Sequence, residues 1–144
     1  MRPAPELWVL DTSALLCLKE DEAGADEVER VLRRHGPRGD VFVSFISLME
    51  YYYVICQSLG EAEARRAYLQ VKQLPLKVVE SDEELGLAAG RIKASARLSV
   101  ADAWVAATAE RLDAVLVHKD PEFEQVKRLL RLQALPYKNG PARL

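Results

Sequence analysis

Four short runs, Leu7–Leu10, Val41–Ser44, Leu76–Val79 and Ala114–Val117, are almost wholly apolar or β-branched. Such runs, lacking polar alternation, suit strands buried on both faces, the situation of a parallel sheet. Between them the apolar spacing turns helical. Ala64, Ala67, Tyr68 and Val71 make one stripe; Leu85, Ala88, Ala89, Ile92 and Ala96 a second; Phe123, Val126, Leu129 and Leu130 a third. Val100–Ala109 is apolar nearly all round, as a central helix would be, and Gln133–Tyr137 is a weaker fifth strand. Strands alternating with helices predict an α/β fold, a parallel sheet of four to five strands flanked by helices on both faces. With 144 residues, no internal repeat and His35–Asp40 reading as a surface turn, a single domain over 1–144 is expected.

One residue disturbs this pattern. Asp11 interrupts the apolar stretch LWVLDTSALLCL, and an ionised carboxylate is rarely left dry and unpaired. Three more acids fall at similar junctions. Glu50 lies in the first turn of the helix after the second strand, Asp102 in the first turn of the central helix, and Asp120 after the fourth strand, before Pro121. All four sit where strands hand over to helices, the edge at which open α/β sheets bind ligands.

Each acid also has a purely structural reading. Ser47-x-x-Glu50 and Ser99-x-x-Asp102 fit a capping box, and Asp120-Pro121 fits an N-cap with proline at the first helical position. Ser81-x-x-Glu84 fits the same box with no chemistry attached, which shows how common the pattern is. Asp11 fits less well, since Thr12 or Ser13 could cap the following helix. Taken together the four are harder to explain as caps. At about 5 Å and an effective dielectric near 20, each pair of carboxylates repels by about 3 kcal/mol. Protons or a cation must relieve that repulsion, and an all-oxygen ligand set selects Mg²⁺ or Mn²⁺ over zinc.

Charge and composition narrow the field. Twenty Lys and Arg against 22 Asp and Glu give a net charge of −2, so any nucleic-acid contact needs local basic patches or a bound cation. Cys17 and Cys56 lack CxxC spacing and read as reduced core residues. The leading MRPAPELW segment is neither a signal peptide nor a membrane span, which makes the expected location cytoplasmic. Glycines 36/39 and 86/90 form neither a P-loop nor a dinucleotide fingerprint. With no GxSxG elbow and only His35 and His118, a nucleophilic triad is not expected. Tyr51-Tyr52-Tyr53 spreads around its helix as packing. His118, beside Asp120, reads first as a structural histidine and second as a contact to substrate or bound water.

The segments VLDTSALL (9–16), SLMEYYY (47–53) and LSVADAWVAATAERLDAVLVHKDPEF (98–123), in that order, resemble the PIN-domain ribonucleases, and among them the VapC-type toxins of toxin–antitoxin pairs. The resemblance covers roughly residues 7–137. It implies a five-stranded parallel sheet and Mg²⁺-dependent endonucleolytic cleavage of single-stranded or loop RNA. It also implies a cognate antitoxin and a homodimer, with no membrane role. By matching motifs it assigns Asp11, Glu50, Asp102 and Asp120 as catalytic and metal-binding acids, with Asp11 and Asp102 on the ion directly. Ser13, Glu122 and His118 would be auxiliary; where His118 stands, the family usually carries threonine or serine. Arg91, Lys93, Arg97 and Lys119 are candidate phosphate contacts, against a solvated helix face for each.

Other readings are weaker. A receiver domain needs an aspartate after its third strand, where Glu80-Ser81 stands, and a haloacid-dehalogenase-type phosphatase needs DxD where Asp11-Thr12-Ser13 stands. An RNA-processing PIN nuclease shares all four acids. A catalytically silent module that only binds RNA or protein would not need them.

Overall fold

A computed structural model describes residues 4–138 of the chain; Met1–Pro3 of the leading segment lie outside the described residues. Five strands form one parallel sheet: β1 (Trp8–Leu10), β2 (Val41–Ser44), β3 (Lys77–Val79), β4 (Val115–His118) and β5 (Arg131–Ala134), in the order β3-β2-β1-β4-β5. The helices are α1 (Thr12–Lys19), α2 (Ala25–His35), α3 (Phe45–Leu59), α4 (Glu61–Lys72), α5 (Glu83–Ser95) and α6 (Val100–Leu112).

Alternate strand residues feed two cores. Trp8, Leu10, Val41, Val43, Val115 and Val117 pack against α1–α4. Val9 and Leu116, with Phe42, Val79 and Leu132 at the margin, pack against α5 and α6. The sheet is thus covered on both faces, which is why its strands read as unbroken apolar runs. Helix α6 lies between α5, the sheet and the turn after β4, and Asp102, Ala103, Val105, Ala106, Ala107, Thr108 and Ala109 are all buried in it. Among the described residues both cysteines are free thiols, Cys17 fully buried.

Several boundaries differ from those read in the sequence. The expected fifth strand at Gln133–Tyr137 runs instead over Arg131–Ala134. Its ladder ends at His118↔Ala134, where β4 itself ends, and Pro136 has no N–H with which to continue. The stripe Phe123–Leu130 is a 3₁₀ turn, Pro121–Val126, leading into β5 rather than an α-helix. Helix α3 starts at Phe45 with Ser44 as its N-cap, so Ser47 is no cap and Glu50 falls in the second turn, not the first. Asp82, not Ser81, caps α5 by accepting the Leu85 N–H at 2.8 Å.

From β1 the chain steps to β2 and β3 on one side, and β4 then returns to the other side of β1. The carboxyl ends of β1 and β4 therefore bound the switch point of the sheet, where such folds leave a crevice. Asp11 and Asp120 stand on its two banks.

A candidate acidic metal centre

Asp11 is 3% exposed and is itself the N-cap of α1, a role that the sequence left open to Thr12 or Ser13. Its Oδ2 accepts the Ser13 N–H at 3.0 Å and the Ser13 hydroxyl at 2.5 Å. Ser13 Oγ in turn accepts the Lys119 N–H at 2.8 Å, which ties the α1 start to the end of β4. The other oxygen, Oδ1, is buried with no hydrogen-bond partner. A cap needs one oxygen; this carboxylate keeps a second one bare in the crevice. Burial pushes the Asp11 carboxyl up to about 6, with Glu50 and Asp120 adding to the rise and the two Ser13 hydrogen bonds opposing it.

Asp102 sits in the first turn of α6, its N–H donating to Ser99 Oγ at 3.0 Å. That is half of a capping box. Its carboxylate does not return a bond to the Ser99 N–H; one of its oxygens lies within 4.8 Å of an Asp120 oxygen instead. Burial first, then the charges of Asp11, Asp120 and Glu50, push the Asp102 carboxyl up to about 8. Among the described residues no lysine or arginine forms an ion pair with it. Oxygens of Asp102, Asp120 and Glu122 come within 4.8 Å of one another, the tightest carboxylate set among the described residues. Asp11 lies outside that set and reaches Asp102 through its charge.

The remaining predicted residues are distributed unevenly. Glu50 Oε1 accepts the Thr12 hydroxyl at 2.5 Å, so Thr12 aims Glu50 as Ser13 aims Asp11. Thr12 was legible only as a hydroxyl beside the strand-end acid. Asp120 does cap the 3₁₀ turn, its Oδ1 accepting the Glu122 N–H at 2.9 Å, as its proline-adjacent position suggested. His118 is fully buried, its Nδ1 accepting the Asp120 N–H at 3.3 Å, and burial lowers its pKa.

The four basic candidates separate. Lys93 and Arg97 are exposed at the end of α5 and in the loop entering α6, and Gln125 braces that loop at both the Arg97 N–H and carbonyl. Arg91 instead lines a groove between α5 and the far half of α6, with Glu84, Glu110 and Arg111, more than a turn beyond Asp102. Lys119 corrects its expected role as a phosphate contact. Its ammonium is buried, paired with Glu22 at 3.2 Å and donating to the Ala23 carbonyl at 2.9 Å. It pins the α1–α2 loop.

An all-oxygen carboxylate set and one bare buried oxygen, with no ion pair to Asp11 or Asp102 among the described residues, fit a hard divalent ion. A sequence model of the PIN domain matches residues 8–129, and the chain belongs to that family. Among solved structures, the fold is similar to VapBC2 of Rickettsia felis bound to a promoter DNA fragment (TM-score 0.71, 16% identity, 90% of this chain and 98% of that chain). It is also similar to VapBC-1 of nontypeable Haemophilus influenzae (0.67, 22%, 89% and 97%). A third similar structure is Mycobacterium tuberculosis VapC20, described as a sarcin–ricin-loop-cleaving toxin (0.66, 16%, 83% and 94%). No curated protein matches the chain. At these identities the likeness to the solved structures is one of fold: this is a single PIN domain with the architecture of the VapC toxins.

Proposed function

We propose that the protein is a metal-dependent endoribonuclease, the toxin of a toxin–antitoxin pair, cutting single-stranded or loop RNA. The observation that carries this is the carboxylate cluster: buried Asp102 brings an oxygen within 4.8 Å of oxygens from Asp120 and Glu122, beside the bare, buried Oδ1 of Asp11. A Mg²⁺ or Mn²⁺ ion held there would supply Lewis-acid stabilisation of the phosphate and a nucleophilic water at neutral pH. Asp102 from α6, Asp120 and Glu122 from the turn after β4, and Asp11 Oδ1 at the end of β1 would hold the ion. Glu50, aimed by Thr12, would bind its waters or a second ion. Lys93 and Arg97 would receive the RNA backbone at the α5–α6 end of the crevice.

Toxin–antitoxin complexes among the fold's relatives support a protein antitoxin as partner, and the VapC20 description supports a loop RNA as substrate. A homodimer and a cytoplasmic location belong to the same reading. Among the described residues no helix is long and apolar enough to cross a membrane. Incubation of the protein with loop-containing RNA in millimolar Mg²⁺ or Mn²⁺ should give slow endonucleolytic cuts that stop with EDTA. Full activity in EDTA would sink the metal assignment. An adjacent gene encoding a small DNA-binding protein would favour the toxin role over RNA processing.

A further inference from the structure

The corner between β4 and the turn that follows it buries one polar group to which the metal centre assigns no work. His118 is the last residue of β4, fully buried, and its carbonyl accepts the Leu135 N–H at 2.7 Å. Phe123 meets its ring edge-to-face at 5.2 Å, and Tyr137 lies at 6.2 Å. The ring is therefore fixed by packing. Its Nδ1 accepts the Asp120 N–H, so in the neutral ring the proton sits on Nε2. Nε2 is buried with no partner. That orphan carries a desolvation cost which an apolar side chain of similar size would avoid. The nitrogen that accounts for a histidine here is the other one.

Asp120 has three local hydrogen-bonding ties. Its Oδ1 accepts the Glu122 N–H, its carbonyl accepts the Phe123 N–H at 3.2 Å, and its own N–H goes to His118. The first two lie within the turn; the third alone fastens the turn to the end of the strand. We infer that His118 is a positioning residue: by accepting the Asp120 N–H, its Nδ1 sets the direction in which the Asp120 and Glu122 carboxylates enter the acidic crevice. The functional consequence rests on the metal reading above. Any short side chain that presents an acceptor to the N–H two residues on should serve, as asparagine and threonine do in Asx- and ST-turns.

Three variants separate the acceptor from the ring's bulk. His118→Asn places an oxygen near the Nδ1 position, His118→Gln places its polar end near the Nε2 position, and His118→Leu keeps volume alone. Two readouts apply: amide exchange at Asp120 in the EDTA-treated protein, and Mn²⁺ affinity by titration without RNA. With Leu and Gln, Asp120 exchange should accelerate and Mn²⁺ should bind about tenfold more weakly, the scale of lost outer-shell support; Asn should stay within about threefold of wild type. If His118→Leu does not fold, the Gln and Asn pair carries the same comparison. Wild-type Mn²⁺ affinity and wild-type exchange in Gln, or an Asn variant as weak as Gln, would overturn the inference alone. A wild-type protein that binds no Mn²⁺ would overturn the metal reading and this inference with it.

Discussion

Asp82 and Asp102 both stand at the start of a helix on the same side of the sheet, one at α5 and one at α6, and their carboxylates meet opposite surroundings. Asp82 caps α5 through Leu85, and Arg111 grips both its oxygens at 2.7 and 2.8 Å. The Arg111 guanidinium, followed by the helix N–H groups, holds that carboxyl down at about 2. Among the described residues Asp102 has no ion pair; it is buried beside other acids and is pushed up to about 8. Position near a helix start does not distinguish a cap from a ligand. What distinguishes them is whether the carboxylate's charge is already answered within the chain.

Activity should show the largest contrast. Asp102→Asn, like Asp11→Asn, should lower RNA cleavage by at least ~10²-fold, the scale of a lost catalytic group, while Asp82→Asn stays within a few-fold of wild type. Single-turnover cleavage at saturating Mg²⁺ measures both. An Asp82 variant as inactive as the Asp102 variant would erase the distinction.

The two sites also predict opposite dependences on pH. The folded-state pKa values of Asp11 and Asp102 lie above the ordinary 3.8. The stability they contribute is complete below that value and is lost as pH rises through about 6 and about 8. Melting of the metal-free protein should therefore fall steadily from pH 5 to pH 8, and Asp102→Asn should flatten that slope. Asp82 is depressed, so its contribution is present above 3.8 and disappears only as pH drops towards about 2. This group is exposed, and removing it should leave the neutral-pH slope unchanged.

The smallest effect belongs to His118→Thr. Threonine keeps an acceptor for the Asp120 N–H, so cleavage should remain within a few-fold of wild type. A loss of ~10²-fold or more would mean that the histidine acts on the substrate itself.

How far the sequence exposed these features depends on what each residue must satisfy. The strands were legible because both faces are buried, so Val9 and Leu10 are apolar for independent reasons on opposite sides of the sheet. Asp11, Asp102 and Asp120 were legible as polar breaks at strand-to-helix junctions. Helix starts were harder to read. Ser44 ends β2 and caps α3 at once, and a nearby Ser47 offered the same chemistry in one dimension. The Ser81 and Asp82 choice failed in the same way, because Arg111, which helps to fix Asp82, lies 29 residues away in sequence. Lys119 looked free for phosphate since nothing local shows that its side chain turns back to Glu22, 97 residues earlier.

The central claim is that Asp102 is an unpaired carboxyl set for a cation and not the partner of Ser99. It is tested most directly by melting wild type and Asp102→Asn at neutral pH, each in EDTA and in millimolar Mg²⁺. At neutral pH folding must either protonate Asp102 or bury its charge among the other acids, and asparagine carries neither cost, so in EDTA the variant should melt higher than wild type. Magnesium at a hundred times its Kd stabilises the state it binds by about 2.7 kcal/mol, and the variant should lose most of that gain. A variant that melts lower than wild type in EDTA, yet gains as much from Mg²⁺, would make Asp102 a helix cap and contradict the account.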